Sequence, residues 1–174
     1  MQLVAFKCAT CNQIHTDLPH IGFGAPFQWA DRLADDPNSL LTSDLCIIEG
    51  RDFFIHGVIE IPVHDYEHEF GWGVWVSHKK ENFETYRNNF ESAEIGPFFG
   101  WLCNEIVCYS QSTIELKTTA HYRGRGLRPR IVLLESDHPL YFQQRDGISL
   151  TEAWAMIHRA EKEMARPDQS RRDG

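Results

Sequence analysis

Cys8-Ala-Thr-Cys11 stands near the start of the chain, with His15 four residues further on and an apolar run, Leu3 to Phe6, just before it. Two thiols separated by two residues can aim both sulfurs at one soft metal ion from a tight knuckle. Zinc is the usual occupant of such thiolate and imidazole sets, in a tetrahedral shell. Asn12 suits the knuckle, because the residue after its second cysteine often needs a left-handed backbone that Asn tolerates. A thioredoxin-like redox pair should open a helix after a strand, and Asn12-Gln13-Ile14 gives no clear helix. Plain reduced cysteines are the remaining reading. Four ligands are needed: Cys8, Cys11 and His15 are the nearest, Cys46 is the best distant thiol, and His20 and His138 are reserves. Cys46 equally suits a small apolar core position. Cys103 and Cys108 read as core or surface thiols.

Arg123-Gly-Arg125-Gly-Leu-Arg128-Pro-Arg130 places four arginines in one short segment of an acidic chain. Guanidinium forks bind phosphate or carboxylate in pairs of hydrogen bonds, and the glycines would let a ligand reach the backbone. Arg123, Arg125, Arg128 and Arg130 are therefore the candidate anion-binding residues, with a solvated hairpin loop as the plainer alternative. Two other constellations carry less. His64-Asp-Tyr-Glu-His68 lacks the glutamate that a zincin helix needs directly after its first histidine. Ser136-Asp137-His138 collects triad residue types side by side, whereas triads are assembled in space, and no Gly-x-Ser-x-Gly elbow occurs. No catalytic residue is assigned.

The elements that must position these groups follow from periodicity. Leu45–Ile48 and Phe53–Ile61 around Gly50-Arg51 form a hairpin signature, and Gly71–Val76 should be a third strand. Ser77 can cap a helix over 79–91. Thr113–Arg123 and Arg130–Glu135 read as further strands, with Leu140–Gln144 a short sixth. Ser149-Leu-Thr-Glu152 is a capping box for a final helix with Ala153, Ile157, Ala160 and Met164 on one face. A short helix is expected near Trp29–Ala34, and 98–112 has no assignable pattern. Alternation puts Trp72 and Trp75 on opposite faces of their strand, so one of them is expected at the surface. The expected fold is α+β: a mostly antiparallel sheet of five or six strands, two main helices and an N-terminal zinc-knuckle-like turn.

With 174 residues, 42 % apolar and 12 % aromatic, one domain over 1–165 and a flexible polar tail over 166–174 are expected. A net charge of −8 opposes broad binding to nucleic acid or to anionic membranes. No secretory pattern opens the sequence and no run reaches the roughly eighteen apolar residues of a membrane span, so a cytoplasmic protein with reduced thiols is expected.

The ordered blocks Cys8-x-x-Cys11, Ser43-Asp44-Leu45-Cys46, Phe53-Phe54-Ile55-His56-Gly57, Glu60-Ile61-Pro62-Val63, Gly73-Val74-Trp75-Val76-Ser77, Phe98-Phe99-Gly100-Trp101-Leu102, Leu127-Arg128-Pro129 and Asp137-His138-Pro139-Leu140 resemble the bacterial domain-of-unknown-function family 2199. The resemblance runs from residue 6 to about 158 and brings no reaction, ligand or catalytic residue with it. The family pattern has glycine at the position of Asn12, compatible with the same turn, and arginine at that of His56, which weakens an anion-binding role there. Its pairing of a knuckle with a later Ser-Asp-x-Cys favours Cys46 as a third ligand. The expected function is a zinc-stapled, non-enzymatic domain that binds another protein, with a basic partner suited to its charge. The alternative is an enzyme or small-anion sensor that uses the arginine loop.

Overall fold

A computed structural model describes residues 5–8 and 11–166 of the protein. Two-residue strands β1 (Phe6–Lys7) and β2 (Ile14–His15) pair as a separate antiparallel ribbon. β3 (Ile21–Gly22), a 3-10 turn over Asp31–Asp35, β4 (Leu40–Leu41), β5 (Leu45–Ile48), β6 (Asp52–Ile61) and β7 (Phe70–His78) follow. The chain continues through α1 (Lys80–Asn88), β8 (Phe98–Trp101), β9 (Lys117–His121), β10 (Arg130–Leu133), α2 (Pro139–Asp146) and α3 (Leu150–Met164).

The main sheet runs β3-β7-β6-β10-β9-β8, with β5 pairing the first half of β6 and β4 pairing β5. It is mixed rather than mostly antiparallel, because β3 lies parallel to β7 and β10 lies parallel to β6. Neither pairing is legible locally: both join strands far apart in sequence, and β3 is only two residues long. Just past β8, Leu102 bridges Val76, so β8 returns to β7 and the sheet curls toward a closed barrel. Closure requires a glycine at 100, where a Cβ would sit 2.3 Å from the Ser77 carbonyl oxygen.

Burial on both faces of β7 follows from this curling. Trp72 lies in the main core with Ile55, Ile59, Val74 and Ile131. Trp75 lies in a second cluster with Leu33, Cys46, Phe54 and Cys103, roofed by the segment that contains the 3-10 turn. Both tryptophans are fully buried, against the expectation that one would be exposed. The exposed large aromatics among the described residues are instead Phe27, Phe99, Trp101 and Phe142.

Three α-helices are present among the described residues, one more than expected. The extra one is α2, where a sixth strand was expected. His138 caps it by accepting from Leu140 N, and Pro139 occupies the first turn, where its missing N–H costs nothing. Gln144 on α2 accepts from Leu133 N (2.8 Å) and donates to Ile131 O (2.7 Å), satisfying the backbone of β10. α1 starts later than expected because Ser77 is still in β7, where its Oγ accepts from Trp101 N. α3 has the expected capping box and buries Ala153, Trp154, Met156, Ile157 and Ala160, although Met164 is exposed. Apart from Arg166, the tail expected over 166–174 lies outside the described residues. None of the described helices is long and apolar enough to cross a membrane.

Candidate metal centre

The ribbon of β1 and β2 turns back on itself between Cys8 and Gln13. Asn12 N donates to Cys8 O and Cys8 N donates to Gln13 O, both at 2.8 Å. Asn12 holds a φ of 60°, the left-handed conformation that the sequence pointed to. Pairing of Phe6 with His15 then carries the His15 ring back to the cysteines, and Cys11 Sγ lies 3.1 Å from His15 Nε2.

The second half of the centre comes from α3, at the far end of the chain. Trp154 and His158 are one turn apart and share a face of the helix. The His15 ring stacks on the Trp154 indole with centroids 3.6 Å apart and planes 16° from parallel. That stack sets the ribbon against α3 and brings Cys8 Sγ within 3.2 Å of His158 Nε2. One donor atom from each of Cys8, Cys11, His15 and His158 lies within 4.8 Å of every other. Across a tetrahedral ion, sulfur and nitrogen ligands stand about 3.6 Å apart, so both Cys–His pairs are within about half an ångström of ligation geometry. These four residues lie close enough to hold one metal ion. Glu161 Oε2 is 3.5 Å from His158 Nδ1, placed to orient that ring with Nε2 toward the sulfurs. Cys8 is almost fully buried, whereas Cys11, His15 and His158 are half-buried.

Cys46 does not join them. It is wholly buried on β5 in the second cluster beside Trp75, where loss of solvent pushes its thiol up to about 12. A thiol in that setting behaves as a small apolar side chain. The fourth donor of the cluster is His158, which the sequence reading missed. Its signal was faint: a histidine one turn after a tryptophan on an amphipathic helix, with no spacing relation to the knuckle. Of the reserves, His20 lies flat against Gly71, and His138 caps α2 with its Nε2 3.2 Å from Gln111 O. Cys103 is buried with its thiol raised to about 11, and the Cys108 thiol is also pushed up by burial.

Three of the four loop arginines already hold internal partners. Arg123 donates to Glu60 (2.6 Å) and to Arg128 O (2.9 Å), and Arg130 reaches the other Glu60 oxygen at 3.3 Å. Arg128 donates to Asp44 (2.8 Å) and to Ser43 O (3.1 Å). Burial pushes the Asp44 carboxyl up, but hydrogen bonds from Ser43 and Arg128 outweigh it and hold the group below its ordinary value. Arg125 is exposed at the loop tip with φ of 55°. An incoming anion would have to compete with Glu60 and Asp44 for these guanidinium groups.

Fold and site together define a barrel-like α+β protein with a Cys2His2 donor cluster that joins the two ends of its chain. The chain belongs to the family described as "Uncharacterized protein conserved in bacteria (DUF2199)", whose model matches residues 7–148. The match takes in Cys8, Cys11 and His15 and stops short of α3 and His158. No curated protein and no solved structure matches the chain.

Proposed function

We propose that Cys8, Cys11, His15 and His158 bind one structural zinc ion that staples the N-terminal ribbon to α3, and that the stapled domain acts by binding another protein. The observation that carries the zinc reading is the donor set itself: two thiolates and two imidazoles from protein side chains fill a tetrahedral shell. Catalytic zinc keeps a position for water or substrate, and a four-residue shell leaves none. The ribbon has only two paired residues per strand, too few to hold its shape alone, so an ion that ties it to a helix contributes directly to folding.

The protein-binding reading rests on two further features. The net charge of −8 suits a basic partner, and exposed Phe99 and Trp101, in edge-to-face contact 5.2 Å apart, offer an apolar anchor beside Lys117. Capture from bacterial lysate on the zinc-loaded full chain tests it. A stoichiometric partner that elutes with salt and is lost with Trp101→Ala is expected; no such partner across a range of salt would contradict the reading. X-ray absorption at the zinc edge tests the site, with two sulfur and two nitrogen ligands expected.

A further inference from the structure

We propose that the centre is a redox-released latch: peroxide oxidises Cys8 and Cys11 to a disulfide, expels the ion and frees α3 from the N-terminal ribbon. This rests on the zinc reading above and adds a regulator to it. The two sulfurs are within 4.8 Å of each other, and Cys-x-x-Cys is a spacing that closes a disulfide. In the step, one thiolate attacks hydrogen peroxide, forming a sulfenic acid and releasing one hydroxide. The second thiolate attacks that sulfur, the S–S bond forms, and a second hydroxide leaves. Two protons convert the hydroxides to water, peroxide takes the two electrons, and Zn2+ departs because a disulfide is a poor ligand for it.

Three features of the molecule direct this chemistry to the centre. Cys11 is partly exposed, whereas Cys8 beside it is buried, so an oxidant as small as peroxide would approach the pair from the Cys11 side. The other cysteines are poorly placed to compete: Cys46 and Cys103 are buried, and burial raises the Cys46, Cys103 and Cys108 thiols, which leaves little thiolate to react. The latch also has something to release. Beyond His158, the last turn of α3 borders a hollow of about 190 Å3 lined by Ile21, Phe23, Trp72, Ile106 and Met164, and Met164 there is exposed.

The test uses the full chain loaded with zinc, treated with hydrogen peroxide and then followed by a colorimetric zinc chelator, peptide mass mapping and amide hydrogen exchange. Release of one zinc per chain is expected together with the mass loss of two hydrogens on the peptide holding Cys8 and Cys11. Amides of the last turns of α3 should exchange about tenfold faster, with reductant plus zinc restoring protection. Chelation of zinc under reducing conditions should produce the same exchange change without the disulfide. A chain that never holds zinc would contradict the metal reading and the latch together. A loaded chain that keeps its zinc while Cys108 oxidises, or forms the disulfide with α3 protection unchanged, would overturn the latch alone. Cys11→Ser should show no disulfide; peroxide-driven release that persists in that variant at the native rate would also overturn it.

Discussion

Two segments stand out in the sequence for their chemistry, and the fold treats them in opposite ways. The Cys8–His15 knuckle gains a donor, His158, from a helix about 140 residues away, and one donor atom from each of the four residues lies within 4.8 Å of the others. The 123–130 loop converges on Glu60 and Asp44, so most of its positive charge is consumed inside the protein. Residue types clustered in sequence can be gathered into a common donor set or paired off with opposite charges, and the fold decides which. The knuckle's side chains gather four potential metal donors, and the loop's guanidinium groups fasten β10 and the loop to β6 and to the β5 approach.

The largest expected effect comes from breaking the knuckle. Cys8→Ser, or chelation of the native chain, should lower the melting temperature by about 10 °C, corresponding to about 3 kcal/mol for a domain of this size, measured by calorimetry. A variant that melts with the native protein would reduce the centre to a surface decoration.

A smaller effect is expected from His78, buried at the end of β7. Burial lowers its imidazole to about 4 from an ordinary 6.5, and its Nε2 lies 2.7 Å from Tyr122 Oη. Between those values the unfolded chain takes up a proton that the folded chain refuses. Stability is therefore complete above pH 6.5 and is lost as pH falls toward 4. Denaturant melts at pH 7 and 4.5 should show His78→Gln losing about 2 kcal/mol less than the native chain over that interval. Zinc loss in acid affects both chains alike, so equal losses would contradict the assignment.

The loop should yield the smallest change. Arg128→Ala removes a half-exposed ion pair and should cost about 1 kcal/mol or less in a urea melt. Glu60→Ala sharpens the comparison, because it removes the partner of both Arg123 and Arg130. If the loop is a masked anion site, inorganic phosphate should stabilise Glu60→Ala and leave the native chain unchanged. No phosphate effect on either chain would leave the loop a purely structural fastener.

The comparison also shows what could be read without coordinates. The hairpin of β5 and β6, strand β7 and the capping box of α3 rest on local rules, period-two alternation and the Ser149–Glu152 reciprocity, and all three are present. The parallel pairings of β3 and β10 rest on contacts between distant segments and were not legible. Helix α2 stands where a strand over Leu140–Gln144 was expected, because five residues carry too short a pattern to show a period; the His138-Pro139 cap was the better signal. In the centre, Cys8, Cys11 and His15 share one short segment, and spacing alone suggested them. His158 was invisible because ligand geometry is three-dimensional, and a helix at the far end of the chain can supply a donor that no spacing rule reaches.

The most direct measurement is zinc per chain, by elemental mass spectrometry, for the native protein, Cys46→Ala and His158→Ala purified side by side without chelator. The expected result is about one zinc in the native protein and in Cys46→Ala, and little or none in His158→Ala. A native protein without metal, or zinc lost from Cys46→Ala and kept by His158→Ala, would contradict the assignment of α3 as the second half of the centre.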